Sequence, residues 1–264
     1  MILNYCDPIW VYPKVDPEWH KTIIKEFSIH PVTAYVLASR NFKTLEEIHD
    51  FLYAKLPHLF DPDLFPDMDK AVHRVLQALS EKENILIYGD NDVDGITAAA
   101  LLTEFLRFIG GNVFFYIPNR NSLKQSLILD AIDFALQKEC KLIITVDCGI
   151  TSANEIEEAV KKKIDVIVTD HHEPTAKLPH CIATLNPKLF NSTYPNRNLT
   201  GVGVAFKLAH AITNTLIANG SISPTKIDLK RYLDLVALGT IADMGSLLGE
   251  NRILVRYGLR QMRK

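Results

Sequence analysis

Short apolar runs alternating with amphipathic helical stretches set the limits on what this chain can fold into. The runs are Ile85–Tyr88, Val113–Ile117, Leu142–Val146, Val166–Thr169 and Ile182–Leu185. Each is nearly continuous in apolar and β-branched residues, the composition of a strand buried on both faces of a parallel sheet. The intervening segments carry helical spacing instead. In Thr97–Ile109, Leu101, Leu102, Phe105, Leu106 and Phe108 repeat with that period, and Ala153–Lys162 opens with Ser152 and Glu155 in capping-box register. Strand and helix in alternation predict an α/β fold: a doubly wound, mainly parallel five-stranded sheet.

Upstream, residues 1–81 are expected to form an N-terminal helical region with proline-marked breaks at Pro31, Pro57, Pro62 and Pro66, closing on a helix over Lys70–Lys82. Residues 82–264 hold the α/β domain. Its last strand leads into the Asn- and Pro-rich loop Asn186–Thr200, then into helices over Val202–Ala218 and Leu229–Ile241. The final NRILVRYGLRQMRK spaces Arg252, Arg256, Arg260 and Arg263 near the helical period and carries no stop signal. It reads as a linker helix leading into further chain.

With 47% hydrophobic and 23% charged residues the chain has the makings of a packed core. A net charge of −2 gives no electrostatic footprint for nucleic acid, yet a carboxylate-built site that takes up cations has no need of one. Cys6, Cys140, Cys148 and Cys181 form no CxxC pair. Neither a secretory leader nor an uninterrupted apolar run of about 18 residues is present. The expected setting is the cytoplasm, with no membrane partner.

Four constellations carry chemistry. In YGDNDVDG, residues 88–95, Asp90, Asp92 and Asp94 follow the first strand. Three carboxylates so close repel one another, and a hard divalent cation relieves the repulsion. Two plainer readings compete: a solvated loop with Asp94 as helix cap, and a calcium loop. The latter would need Glu where Leu101 stands. Asp147 ends the third strand in TVDCGI, and TDHHEP ends the fourth with Asp170, His171 and His172. Imidazole suits Mn²⁺ and also phosphate. Asp243 follows an apolar helix in GTIADMGS, where an acid opposes the helix dipole. Because ligands in open α/β sheets sit beyond the carboxyl ends of the strands, these groups are placed to converge on two ions and support in-line attack on a phosphodiester. No GxxxxGK[ST] or GxGxxG motif competes for that crevice.

Together these motifs resemble the DHH phosphoesterase superfamily, whose namesake stands here as Asp170-His171-His172, and more narrowly the RecJ-type single-strand-specific exonucleases. HPVTAYVLASRNFKTLEEIHDFL, DPDLFPDMDKAVHRV, ILIYGDNDVDGITAAALL, TVDCGI, TDHHEP, NPKLFNSTYP, LTGVGVAFKLAHAI and GTIADMGSLLGENRILVRYGL carry the resemblance in order along the chain. It implies metal ligands at Asp92, Asp94, Asp147, His171 and Asp243, with Asp90 supporting or joining the first metal site. It further implies that His172 contacts the scissile phosphate and Asp170 orients the histidine pair. The implied cofactors are two Mn²⁺ or Mg²⁺ ions. The implied reaction releases 5′-mononucleotides from the 5′ end of single-stranded DNA in repair and recombination, with a single-strand-binding protein and a helicase as partners.

Asn91 stands where the family usually has Tyr, and NSLKQSL, residues 121–127, replaces a glycine-containing segment. The family's C-terminal DHH-associated domain and OB-fold are absent from the sequence. The alternatives are a relative acting on short RNA, cyclic dinucleotides or pyrophosphate, and a non-catalytic DNA-binding scaffold.

Overall fold

The computed structural model describes residues 11–40, 42–119 and 127–263, so Cys6 and residues 121–126 of the replaced segment lie outside the described residues. The chain divides into two compact units, Met1–Ala54 and Lys55–Lys264.

In the first unit, α1 (Pro17–Phe27), α2 (Pro31–Ala38) and α3 (Leu45–Tyr53) surround a small core of Ile23, Ala34, Leu37 and Ile48. The prolines at Pro17 and Pro31 start helices, since the first turn has no use for the missing N–H. Thr44 and Glu47 close a full capping box on α3.

The second unit opens with two 3₁₀ turns and α4 (Met68–Ser80). There follow β1 (Asn84–Gly89), α5 (Val93–Phe108), β2 (Asn112–Tyr116), α6 (Leu127–Gln137), β3 (Cys140–Val146), α7 (Ala153–Lys161), β4 (Asp165–Thr169) and β5 (Ala183–Leu185). After the sheet come α8 (Gly201–Ala218), a 3₁₀ turn over Leu229–Tyr232, α9 (Leu233–Ala242) and α10 (Gly249–Gln261). All five expected strands are present, all parallel, in the order β2-β1-β3-β4-β5.

Alternate residues of each strand face opposite helical layers. Ile85, Ile87, Leu142, Ile144 and Ile167 pack with α4, α5 and α8, while Leu86, Tyr88, Ile143, Val166 and Val168 pack with α6 and α7. This two-sided burial is why the strands read as unbroken apolar runs. Helix α8 is apolar enough by composition to cross a membrane, but 67% of it is buried inside the fold, so it is a core helix. The strand order reverses direction between β1 and β3, which opens a crevice at their carboxyl ends.

Three local expectations fail, and with them the plainer competing reading of Asp94 as the helix cap. The helix after β1 starts at Val93 rather than Thr97, and its cap is Asp92, whose Oδ1 accepts from the Gly95 N–H at 3.0 Å, not Asp94. Extended backbone at Asp92 turns its carboxylate onto the helix end and sends Asp94 inward. At α7, Ser152 makes no side-chain cap, so the capping box expected with Glu155 does not form. The helix expected over Leu229–Ile241 is tightened into a 3₁₀ turn over its first four residues.

The second unit also holds a fully buried ion pair, Lys207 to Glu250 at 2.5 Å. Lys207 Nζ also donates to the Phe60 carbonyl at 2.6 Å, and Glu250 accepts from the Phe60 N–H at 2.9 Å and from the Tyr194 hydroxyl at 2.5 Å. The pair ties α8 and α10 to the segment that leads into α4.

Candidate metal centre

Sheet register puts the acids in line. Gly89 pairs with Val146, Val146 with Thr169, and Thr169 with Leu185. One residue beyond that row stand Asp90, Asp147 and Asp170. Their backbone N–H groups donate to Val146 O at 3.3 Å, Thr169 O at 2.9 Å and Leu185 O at 3.0 Å. Each carboxylate is thus held at the sheet's carboxyl edge by its own backbone.

His171 is the hub. Its Nε2 lies 3.0 Å from Asp147 Oδ1 and 3.8 Å from both Asp94 Oδ2 and Asp243 Oδ2. Two groups of donors lie within 4.8 Å of one another: Asp147, His171 and His172, and Asp94, His171 and Asp243. Asp243 reaches the cluster as the residue capping α9. Asp92 contributes its charge, raising the Asp147 carboxyl, while its Oδ1 stays on the Gly95 N–H. Asp90 Oδ1 accepts from the Asn91 N–H at 2.6 Å, so it braces the loop and falls outside both donor groups.

Surrounding groups fix these side chains. Asp94 takes the N–H of Gly201 on Oδ2 at 2.7 Å and that of Val202 on Oδ1 at 2.9 Å, which seats it on the positive end of α8. Asp170 is buried and accepts from the N–H groups of His171 (2.7 Å), His172 (3.0 Å) and Ile150 (2.9 Å), and from His172 Nδ1 (2.7 Å). The fully buried Asn186 donates its side-chain amide to the His172 carbonyl at 2.9 Å.

Electrostatics follow from this packing. Burial, then the Asp147 charge, raises the Asp94 carboxyl to about 7; burial, then Asp92, raises Asp147 to about 9. Burial lowers His171, keeping its imidazole neutral. His172 moves the other way, up to about 9, chiefly through its hydrogen bond to Asp170. Burial pushes Asp170 up, but the His172 bond and the backbone donors outweigh it and leave the carboxyl low. Both carboxyls are thus held above the ordinary carboxylate range, and His171 Nε2 lies 3.0 Å from Asp147 and 3.8 Å from Asp94. Asp147 Oδ1 and His171 Nε2 are buried and have no partner of hydrogen-bonding geometry. Oxygen and imidazole donors left orphaned in this way fit a hard divalent ion.

The metal-free protein should therefore lose stability as pH rises. Folded Asp94 and Asp147 hold protons that an exposed carboxyl releases near 3.8, so from about pH 4 towards 9 the folded state binds more protons than the unfolded one. His172 adds to the same slope from about 6.5 to 9; His171 opposes it. A cation displaces those protons. In thermal scans, Mn²⁺ is expected to raise Tm more at pH 8 than at pH 6, and equal shifts would contradict the assignment.

Two glycines that carry no chemistry of their own shape the centre. A Cβ on Gly201 would stand 2.4 Å from Asp147 Oδ1 and 2.5 Å from its Cβ; one on Gly239 would meet Thr97 Oγ1 at 2.4 Å and Asp94 Oδ1 at 2.8 Å. Gly201→Ala is expected to push Asp147 aside and weaken Mn²⁺ affinity by about 10–100-fold, the range for disturbing a ligand's support. Titration calorimetry would read this, and unchanged affinity would mean Asp147 is no ligand.

A model of the DHH family, N-terminal domain, matches residues 84–240, more than half of the chain. The chain belongs to the DHH family. It is 38% identical over 255 residues to the single-stranded-DNA-specific exonuclease RecJ of Bacillus subtilis, covering 97% of this chain and 31% of that protein. The Escherichia coli protein of the same name is 36% identical over 237 residues, covering 88% and 40%. Among solved structures, RecJ from Thermus thermophilus in complex with Mn²⁺ aligns with a TM-score of 0.71 at 29% identity, over 94% of this chain and 34% of that one. An exonuclease RecJ bound to manganese aligns at 0.64 and 34% identity, over 74% and 48%. The chain thus spans about a third to two fifths of the length of these curated relatives.

Proposed function

We propose that this DHH chain carries the catalytic centre of a RecJ-like exonuclease, a metal-dependent phosphodiesterase acting on single-stranded DNA in repair and recombination. The observation that supports this most strongly is the gathering of Asp94, Asp147 and Asp243 around His171 at the switch point of the sheet. The carboxylates of Asp94, Asp147 and Asp243 gathered around His171, with Asp92 and Asp90 at the margin, support a centre for two ions that leaves His172 free to meet the phosphate. Asp94, Asp147, His171 and Asp243 would hold Mn²⁺ or Mg²⁺, which when bound would make water a better nucleophile at neutral pH and offset charge on the phosphate.

The chain's own residues do the rest. Asp94, Asp147 and Asp243 hold the site together, and neutral His171 offers Nε2 without surrendering a proton. His172, with Nδ1 on Asp170, stays protonated at neutral pH and half exposed. It presents a positive N–H to a phosphate oxygen, where charge develops during attack. Asp170 keeps that ring aimed. A single-strand-binding protein and a helicase are the partners such a role implies, and the cytoplasm is its setting.

The test is Mn²⁺-dependent cleavage of 5′-labelled single-stranded DNA, beside short RNA, a cyclic dinucleotide and pyrophosphate, by this chain and by a version extended to its relatives' length. Mononucleotides released from the 5′ end of DNA are expected. Preference for another substrate by both versions would overturn the proposal.

A further inference from the structure

Phe190 has a side chain as exposed as a free one (103%) in a loop otherwise pinned down. Its neighbour Leu189 is buried, as is Tyr194, which stacks on Phe65 at 4.1 Å. Thr193 Oγ1 donates to the Leu64 carbonyl at 2.8 Å, the Lys188 N–H to Asn186 Oδ1 at 2.8 Å, and Arg197 to the Lys188 carbonyl at 3.0 Å. A single exposed apolar side chain is ordinary on a protein surface. The placement of this one is not. It follows β5 at the same carboxyl edge as the metal centre, because all strands are parallel. It lies four residues from Asn186, which holds the His172 carbonyl, hence within about 14 Å of that residue along the chain. Two cations, Lys188 and Arg197, belong to the same loop, joined by the Arg197 hydrogen bond to the Lys188 carbonyl. Lys188 also reaches Glu173, beside the histidine pair, at 3.2 Å.

An aromatic side chain exposed on a pinned loop that also carries two cations, at the same sheet edge as a phosphate-directed histidine, has the elements that hold single-stranded nucleic acid. Bases stack on the ring while the cations follow the backbone. We infer that Phe190 is a stacking platform for a nucleobase of the strand whose phosphodiester enters the metal centre. This rests on the proposed nuclease reading and adds a positioning residue to it.

The experiment uses the whole chain with Mn²⁺ and a twelve-residue oligothymidylate. Stacking of one base is worth about 1–3 kcal/mol, so Phe190→Ala is expected to raise KM about tenfold or more with kcat within about twofold. Phe190→Trp should keep the wild-type KM. Its added fluorescence, taken as the difference from the wild-type emission of Trp10 and Trp19, should be quenched when the oligonucleotide saturates. Unchanged KM in the alanine variant, or added emission indifferent to the oligonucleotide, overturns the platform. Quenching without any cleavage by the wild type would sink the nuclease reading and leave the platform standing; cleavage with an unchanged KM does the reverse.

Discussion

Asp147→Asn is expected to abolish Mn²⁺-dependent hydrolysis, by about three orders of magnitude or more, while raising the thermal stability of the metal-free protein at pH 8. Asparagine is the informative choice because Asp147 sits at φ 60°, a left-handed conformation that Asn tolerates and most residues resist at a cost of about 1–2 kcal/mol. The loss follows from removing an anionic donor beside the His171 hub, where metal assistance contributes several kcal/mol to the transition state. The gain follows from the same charge, since burial and Asp92 penalise the carboxylate and a neutral isostere escapes that penalty. Each kcal/mol recovered shifts Tm by roughly 2–4 °C in a domain of this size. Activity assays and thermal scans together check this. Lost activity with lowered stability would point to damage rather than to a missing ligand.

The second large effect concerns Lys207 and Glu250, both fully buried. Burial lowers the Lys207 pKa, and the Glu250 carboxylate opposes that fall. Lys207→Met is expected to destabilise the fold by about 3–5 kcal/mol, because it leaves the Glu250 charge without its cation in the core. Pairing it with Glu250→Gln should return part of the loss, since Gln carries no charge, its Oε1 can accept from the Phe60 N–H and its amide N–H can donate to the Tyr194 hydroxyl oxygen. Urea unfolding of the single and double variants measures the coupling. Additive losses would show that the two side chains contribute independently.

The sheet and the acids were legible for one reason: both leave a mark in neighbouring residues. Strands buried on two faces must be apolar throughout, and a cation site at a strand end must spend acids and histidines there. Asp94 against Asp92 as the helix cap was a finer matter. Both sit within reach of the helix start, and the choice turns on a partner 107 residues away, the N–H of Gly201 that draws Asp94 inward. Gly201, Gly239 and Asn186 left no local signal of their part in the site. Their roles depend on how α8, α9 and the loop after β5 pack over the sheet edge; the closely spaced glycines of TGVGV, at the start of α8, were the one hint available.

The most direct measurement is the anomalous scattering of manganese in crystals grown with MnCl₂. Two peaks are expected within the cluster of Asp94, Asp147, His171 and Asp243, one of them on His171 Nε2, each at about 2.0–2.6 Å from carboxylate or imidazole donors. Manganese bound elsewhere, with His171 Nε2 and Asp147 Oδ1 left free of it, would contradict the assignment of this cluster as a metal centre.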